Sequence, residues 1–186
     1  MSSIIKVDQI QDSGGNNLVT SNGSGVVTST AFGKIGQIVS TTKTDTFTLS
    51  TGSNTFTDIT GLSATITPTS TSSKIYINFI ITYGNSTGSI VKARLLRGTT
   101  PISIGDANGS RQQATVGNYN GTSSTAMIQV LPQNFLDSPS TTSSTTYKLQ
   151  VATENATLYV NRNARNDNAA RDGTYTSSIT LMEVLP

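Results

Sequence analysis

Cysteine, histidine and tryptophan are absent from this sequence. Without cysteine there is no disulfide framework, the staple on which many small secreted β domains depend. The fold must therefore rest on its own core or on surface buried against other subunits. Without histidine and cysteine, the commonest general base and the thiol nucleophile are both missing, and a Ser–His triad is excluded outright. Zinc is disfavoured for the same reason, since its sites are built from Cys and His. Charge is sparse: 12% of residues are Asp, Glu, Lys or Arg, and the formal net charge is +2. No basic run accompanies it, so nothing points to nucleic acid. No apolar run approaches the ~18 residues of a membrane span, so membrane insertion is not expected. Met1-Ser-Ser-Ile-Ile-Lys6 lacks a basic region followed by an apolar one. The expectation is a chain without a signal peptide, made in a cytoplasm and leaving it by lysis or as part of a particle.

What the sequence has instead is Ser and Thr, roughly three in ten residues, together with Ile, Val and Gly. That mixture favours strands over helices. The organising stretch is Ser73-Lys-Ile-Tyr-Ile-Asn-Phe-Ile-Ile-Thr-Tyr-Gly84. Ile75, Ile77, Phe79, Ile81 and Tyr83 fall on every second position, the signature of a strand with one buried face. The opposite face, Tyr76, Asn78, Ile80 and Thr82, is partly apolar too, which predicts a central strand covered on both sides. Further strands are expected at 36–42, 46–49, 55–59, 62–67, 90–97, 102–104, 114–117, 126–131, 145–153, 157–161 and 175–184. Many short strands at this spacing predict an all-β fold, an antiparallel β-sandwich of jelly-roll type. Its core is expected to hold Ile75, Ile77, Phe79, Ile81, Leu149, Val151, Leu158, Val160, Ile179 and Leu181. Asn155 and Ala156 read as the turn of a tight hairpin.

Residues 1–33 differ from the rest. Ile4, Ile5, Val7 and Ile10 make a short apolar patch, followed by a turn at 12–17, a brief strand at 18–20 and a Gly-Ser-Gly break. The segment is too short and Gly-rich to own a core. It reads as an extended arm that orders on docking, with a loose terminus as the alternative, and residues 34–186 as the β-sandwich domain. Three long loops stand out in that domain: 106–113, 118–125 and 162–173. The last concentrates Arg162, Arg165 and Arg171 with Asp167 and Asp172. Long loops on a rigid scaffold are where recognition sits.

Candidate chemistry is thin. A glycosidase needs two carboxylates across a cleft, and Asp45, Asp58, Asp106, Asp137, Glu154, Asp167 and Asp172 mostly fall in turns, where Asp is favoured by its own side-chain hydrogen bonding. Asp106-Ala-Asn-Gly-Ser110 and Asn166-Asp-Asn168 carry oxygen donors but lack the spacing and closing Glu of a calcium loop. No catalytic residue, metal ligand or cofactor is assigned. Tyr119 and Tyr159 could stack on a sugar or a partner protein, or serve as half-buried packing.

Ile5-Lys-Val-Asp-Gln-Ile-Gln11 followed by Gly-Gly resembles the N-terminal motif of tail-fibre-type proteins from phages of cyanobacteria and marine bacteria. Thr57-Asp-Ile-Thr-Gly-Leu62, Ser72-Ser-Lys-Ile75, Leu96-Arg-Gly98, Phe135-Leu-Asp-Ser-Pro139 and Tyr159-Val-Asn-Arg162 are similar to stretches of their C-terminal β domain. The patches span nearly the whole chain in a plausible order. The resemblance implies a non-enzymatic bacteriophage virion protein, assembled in the host cytoplasm, homotrimeric, and in contact with other virion proteins of the tail or capsid. The chain departs from long fibres in having no repeat shaft and no coiled-coil heptads. A short tail fibre or fibre tip, a capsid decoration protein and a free carbohydrate-binding module all stay open, with a lytic or depolymerising enzyme behind them. On the fibre reading, Ile4, Ile5, Val7 and Ile10 dock the chain on the particle. Tyr119, Asn163, Arg165, Asn166, Asp167, Asn168 and Arg171 face the host surface, where a glycan would be hydrogen-bonded by the Asn and Asp groups and any acidic group held by the Arg residues; the alternative is that Arg165, Asp167, Arg171 and Asp172 pair with one another or across a trimer interface.

The pattern around 73–84 makes one substitution decisive. Ile77→Asp puts an unpaired carboxylate into the predicted core, at a cost of several kcal/mol. The variant should fail to fold; soluble protein with a cooperative thermal transition would contradict the assignment.

Overall fold

A computed structural model of the chain describes residues 7–21, 23–24, 27–29, 35–50, 54–121 and 124–186. All regular structure among them is β, in three antiparallel sheets. The first sheet is a small meander, β1 (Gln9–Gln11), β2 (Asn17–Ser21) and β3 (Val27–Ser29), whose strands pair with one another in the order β1-β2-β3. Asp12 builds its first turn: the carboxylate accepts from Gly14 N at 2.8 Å and Asn16 N at 2.9 Å. The N-terminal segment is thus folded on itself over these residues rather than bare extended chain.

The remaining strands run β4 (Ile35–Lys43), β5 (Phe47–Leu49), β6 (Thr57–Ile66), β7 (Lys74–Asn85), β8 (Ser89–Arg97), β9 (Thr100–Ile102), β10 (Val116–Asn120), β11 (Gln129–Asp137), β12 (Thr145–Thr153), β13 (Leu158–Val160) and β14 (Ser177–Val184). They form a six-stranded sheet, β4-β14-β7-β13-β5 with β11 also on β7, and a five-stranded sheet, β10-β8-β12-β6 with β9 on β8. If the principal strands β4, β6, β7, β8, β10, β11, β12 and β14 are counted one to eight, one sheet reads 1-8-3-6 and the other 5-4-7-2. Successive strands alternate between sheets except the fourth and fifth, which pair within one sheet, and the first pairs with the last, which is the strand order of a jelly roll.

The core lies between the two sheets. Ile75, Ile77, Phe79, Ile81 and Tyr83 of β7 are fully buried, facing Val91, Ala93 and Leu95 of β8 and Tyr147, Leu149 and Val151 of β12. All ten core residues expected from the sequence are buried. At one end Asp137 of β11 joins the sheets. It accepts two hydrogen bonds from Arg97 Nη1 of β8 at 2.9 Å and one from the Tyr147 hydroxyl of β12 at 2.7 Å. Burial, with the Asp137 carboxylate beside it, pushes the Tyr147 hydroxyl far above its ordinary pKa. At the other end Asn161, in a left-handed conformation, donates from Nδ2 to the carbonyls of Lys43 and Asp45 and accepts from Ser177 Oγ.

Four expectations need correction. The strands expected at 55–59 and 62–67 are one strand, β6, which bulges at Gly61 (φ +81°) where its register on β12 shifts. A glycine admits the left-handed residue that a bulge of this kind needs. Asn155 and Ala156 do not turn a hairpin: β12 lies in the five-stranded sheet and β13 in the six-stranded one. The connection crosses the end of the sandwich and bonds to the β7–β8 turn through Ser86 and Ser89. Both strands alternate in period two, so pattern alone could not tell a hairpin from a crossing. The loop expected at 118–125 begins inside β10, where Asn118 and Tyr119 pair with Val91 and Ile90. Finally, β7 is not covered on both sides: Asn78 and Ile80 on its outer face are exposed.

Glu183 supplies a pH test of the packing. Its carboxylate is fully buried in β14. It accepts from Thr69 N at 2.6 Å, Thr69 Oγ1 at 2.7 Å and Gln37 Nε2 at 2.8 Å. Burial would push its pKa up, but these donors and Ser73 outweigh it and hold the group at about 2. A depressed folded-state pKa contributes stability that is present above the unfolded value near 4.5 and lost as pH falls towards 2. Glu183→Gln should lower the melting temperature at pH 7, and the gap to wild type should narrow between about pH 4.5 and 2. A gap independent of pH would contradict the ionised carboxylate.

Candidate functional site

Two features offer themselves as sites: the 162–173 loop and the outer face of the six-stranded sheet. The loop leaves β13 through Asn161 and returns at the bridge between Arg162 and Thr174. It sits against the end of β7. A Cβ on Gly84 would lie 2.8 Å from Asn163 Cα and 2.9 Å from the Arg162 carbonyl, so only glycine admits this approach. Arg165 N donates to the Thr125 carbonyl at 2.8 Å, which brings the 118–125 and 162–173 segments to the same end of the sandwich. The third long loop, 106–113, does not join them. It lies along the outer face of the five-stranded sheet, where Gln112 bonds Lys92 and Asn54.

Within the loop Asp172 is the hub. Its carboxylate accepts from Asn163 Nδ2 at 2.7 Å, from Asp167 N at 2.8 Å and from Arg165 through both Nε and Nη2. The Arg165 guanidinium, then Asn163 and the Asp167 amide, hold its pKa far below the usual carboxylate range, against burial. The hydrogen bond to Asp172 raises the Arg165 pKa in turn. Arg171 donates to Asp167 at 2.5 Å. Asn163 is buried and spends its carbonyl on Asn166 N at 3.0 Å. Arg162 lies over the Tyr159 ring, 3.9 Å from its centroid. Of the candidate recognition residues, Asn163 and Arg165 are therefore used inside the loop, Asn166, Asp167 and Asn168 are exposed around a cup of about 310 Å³, and Arg171 is exposed without lining it. Tyr119 is 66% exposed but stands on β10 and does not line that cup. Ile4 and Ile5 lie outside the described residues; Val7 and Ile10 are exposed on the meander.

The chemistry of the cup is that of a rigid polar surface. Both carboxylates are paired with guanidinium groups, Asp172 with Arg165 and Asp167 with Arg171. Among the described residues no three acidic groups come together in a way that would hold a metal ion. The sequence reading missed Thr46, which lines the cup, and Gly84, which seats the loop. Gly84 did carry a signal, since a glycine continuing a period-two run often marks a close backbone approach.

The second feature is a surface. The outward residues of β4, β14, β7 and β11 align in rows across the strands. Ile38, Met182, Tyr76 and Leu136 share one row, Ser40, Thr180, Asn78 and Asn134 the next, and Thr42, Ser178, Ile80 and Pro132 the third. No charged side chain stands in these three rows; Lys74, exposed at the start of β7, lies beyond them opposite Val184. Ile38 is 60% exposed, Leu136 45% and Ile80 40%. Directly opposed side chains are about 5 Å apart, so each row is a continuous strip.

No family model and no curated protein matches the chain. Among solved structures it is similar to infectious bursal disease virus of the Gx strain, at 16% identity over 81% of this chain with a TM-score of 0.40. The Gt strain structure gives 14%, 88% and 0.42. The T=1 particles derived from that virus give 16%, 88% and 0.41. The chain covers 37%, 41% and 43% of those chains, well under half of their length. The architecture stands on its own strand order and register and takes no support from this likeness.

The loop network is testable by itself. Asp172→Ala removes the acceptor shared by Asn163, Arg165 and the Asp167 amide. The melting temperature should fall by roughly 5 °C, and the Arg165 and Asp167 amides should lose protection in hydrogen exchange. Unchanged melting and protection would mean that the network is dispensable and that Arg165 is available to a ligand.

Proposed function

We propose that the chain is a non-enzymatic structural subunit of a bacteriophage particle, a short tail fibre or fibre tip. In this reading it assembles as a homotrimer, docks through residues 1–33 and turns the end bearing 118–125 and 162–173 towards the host surface. The observation that carries the assembly part is the neutral outer face of the six-stranded sheet. An apolar row such as Ile38, Met182, Tyr76 and Leu136 left to water is costly, and a subunit contact removes it. A three-fold arrangement and a place in a virion are supported by the sequence patches that resemble phage fibre proteins. The arm supports docking: Val7 and Ile10 present apolar side chains on a meander too small to bury them. The polar end loop, with its charges paired internally and its Asn side chains outward, suits contact with a host glycan without chemistry.

Proteomics of purified particles checks this reading. The chain should be present at low copy number in a multiple of three, and a chain lacking residues 1–33 should fold yet be missing from particles. A stoichiometry close to that of the major capsid protein would instead make it a capsid decoration protein. Absence from particles would remove the reading altogether.

A further inference from the structure

The outer face of the five-stranded sheet is built differently from the face just described. Ile90, Lys92 and Arg94 of β8 alternate onto it, and the 106–113 loop forms a wall beside them. Two adjoining depressions, of about 480 and 530 Å³, share Asn54 and Gln112. Together they make a trough running from Ile90 to Leu96, about 20 Å at the rise of a strand.

Cations without acid partners collect there. Lys43, Arg97, Lys148, Arg165 and Arg171 each form an ion pair. Lys92, Arg94 and Arg111, which line the trough, form none among the described residues. Lys92 Nζ is fixed by two amide oxygens, Asn54 Oδ1 at 2.8 Å and Gln112 Oε1 at 2.6 Å, which use two of its three donors. Arg94 is stacked 3.8 Å over the Phe56 ring. Its Nε and Nη2 donate to the Gln113 carbonyl at 3.1 and 2.7 Å, leaving its remaining N–H groups without an acceptor among the described residues. Both cations are therefore held in place by neutral groups with donors to spare. The one acid in the lining, Glu154, stands at the Ile90 end. Beyond it Tyr119 of β10 lies directly opposite Ile90, 66% and 42% exposed, and makes an apolar shelf at the mouth.

We infer that this trough is a binding site for an acidic oligosaccharide, a chain of sugars bearing carboxylate groups. Its acid groups meet Lys92 and Arg94, away from Glu154, and one sugar face lies on Tyr119. The amide oxygens of Asn54 and Gln112 already accept from Lys92, Gln112 Nε2 donates to the Asn54 carbonyl and Gln150 Nε2 to Asp58, and what these amides keep for sugar hydroxyls is a second N–H and a second lone pair each. A single-stranded nucleic acid would call for successive aromatic platforms, and the trough has one exposed ring at its mouth. The inference stands on the trough alone and does not depend on the chain's place in a particle.

Titrating the purified full chain with a galacturonic acid tetramer, followed by calorimetry and amide chemical shifts, tests it. The tetramer should bind saturably, more weakly as salt rises, with shifts at Lys92, Arg94 and Gln112. The uncharged galactose tetramer should bind at least tenfold more weakly. Arg94→Gln and the exposed Arg111→Gln should each reduce affinity by roughly tenfold, and Tyr119→Ala should weaken both tetramers, with the melting temperatures of Arg111→Gln and Tyr119→Ala unchanged. No saturable binding, equal affinity for the uncharged tetramer, or tighter binding of a short single-stranded oligonucleotide would each overturn the assignment. None of those outcomes bears on whether the chain is found in particles.

Discussion

A strand has two faces, and a two-layer sandwich buries only one of them. The inner row of β7, Ile75 to Tyr83, is where that constraint is met in this protein. It packs in the middle of the interface between the sheets: β11, β13 and β14 pair with β7, and β6, β8 and β12 of the opposite sheet share its core cluster. With neither a disulfide nor a metal-binding cluster in view among the described residues, this row and its partners on β8 and β12 carry the fold. The tie of Asp137 to Arg97 and Tyr147 fixes how the sheets meet at one end, and Asn161 with Ser177, Lys43 and Asp45 knits the six-stranded sheet together at the other.

The faces left over have opposite character. That of the six-stranded sheet carries no charge in its three central rows, one apolar, one of hydroxyl and amide groups and one mixed, with Lys74 beyond them at the start of β7. That of the five-stranded sheet carries Lys92, Arg94 and Lys148 among amides. A self-complementary contact between copies favours the first kind, since a charge near a symmetry axis meets its own image. A polar ligand favours the second. The arginine-bearing end loop belongs with neither: its acids and bases neutralise one another around Asp172, so it is a stiff surface.

Much of the core was legible because period two is a direct consequence of strand geometry, and β7 and β12 keep it without interruption. Sheet membership was not legible. Leu158 and Val160 alternate in the same way whether the chain turns back beside β12 or crosses to β7, and only Ser86 and Ser89 under the crossing decide. The bulge at Gly61 split one strand into two apparent ones. The trough residues Asn54, Lys92, Gln112 and Glu154 come from four separate segments, each unremarkable, and no local spacing could have joined them. The pairing of Arg165 with Asp172, by contrast, was present as one of two readings, since opposite charges seven residues apart in a single loop readily meet.

The central claim is that the neutral face of the six-stranded sheet is a contact between copies of the chain. Sedimentation equilibrium of the wild-type protein and of Leu136→Glu at micromolar concentration tests it most directly. The substitution introduces a charge on an exposed side chain and leaves the inner face untouched. The account predicts an oligomer for wild type and a folded monomer for the variant, with the same β-type circular dichroism. A wild-type monomer, or an oligomer that Leu136→Glu leaves intact, would contradict it.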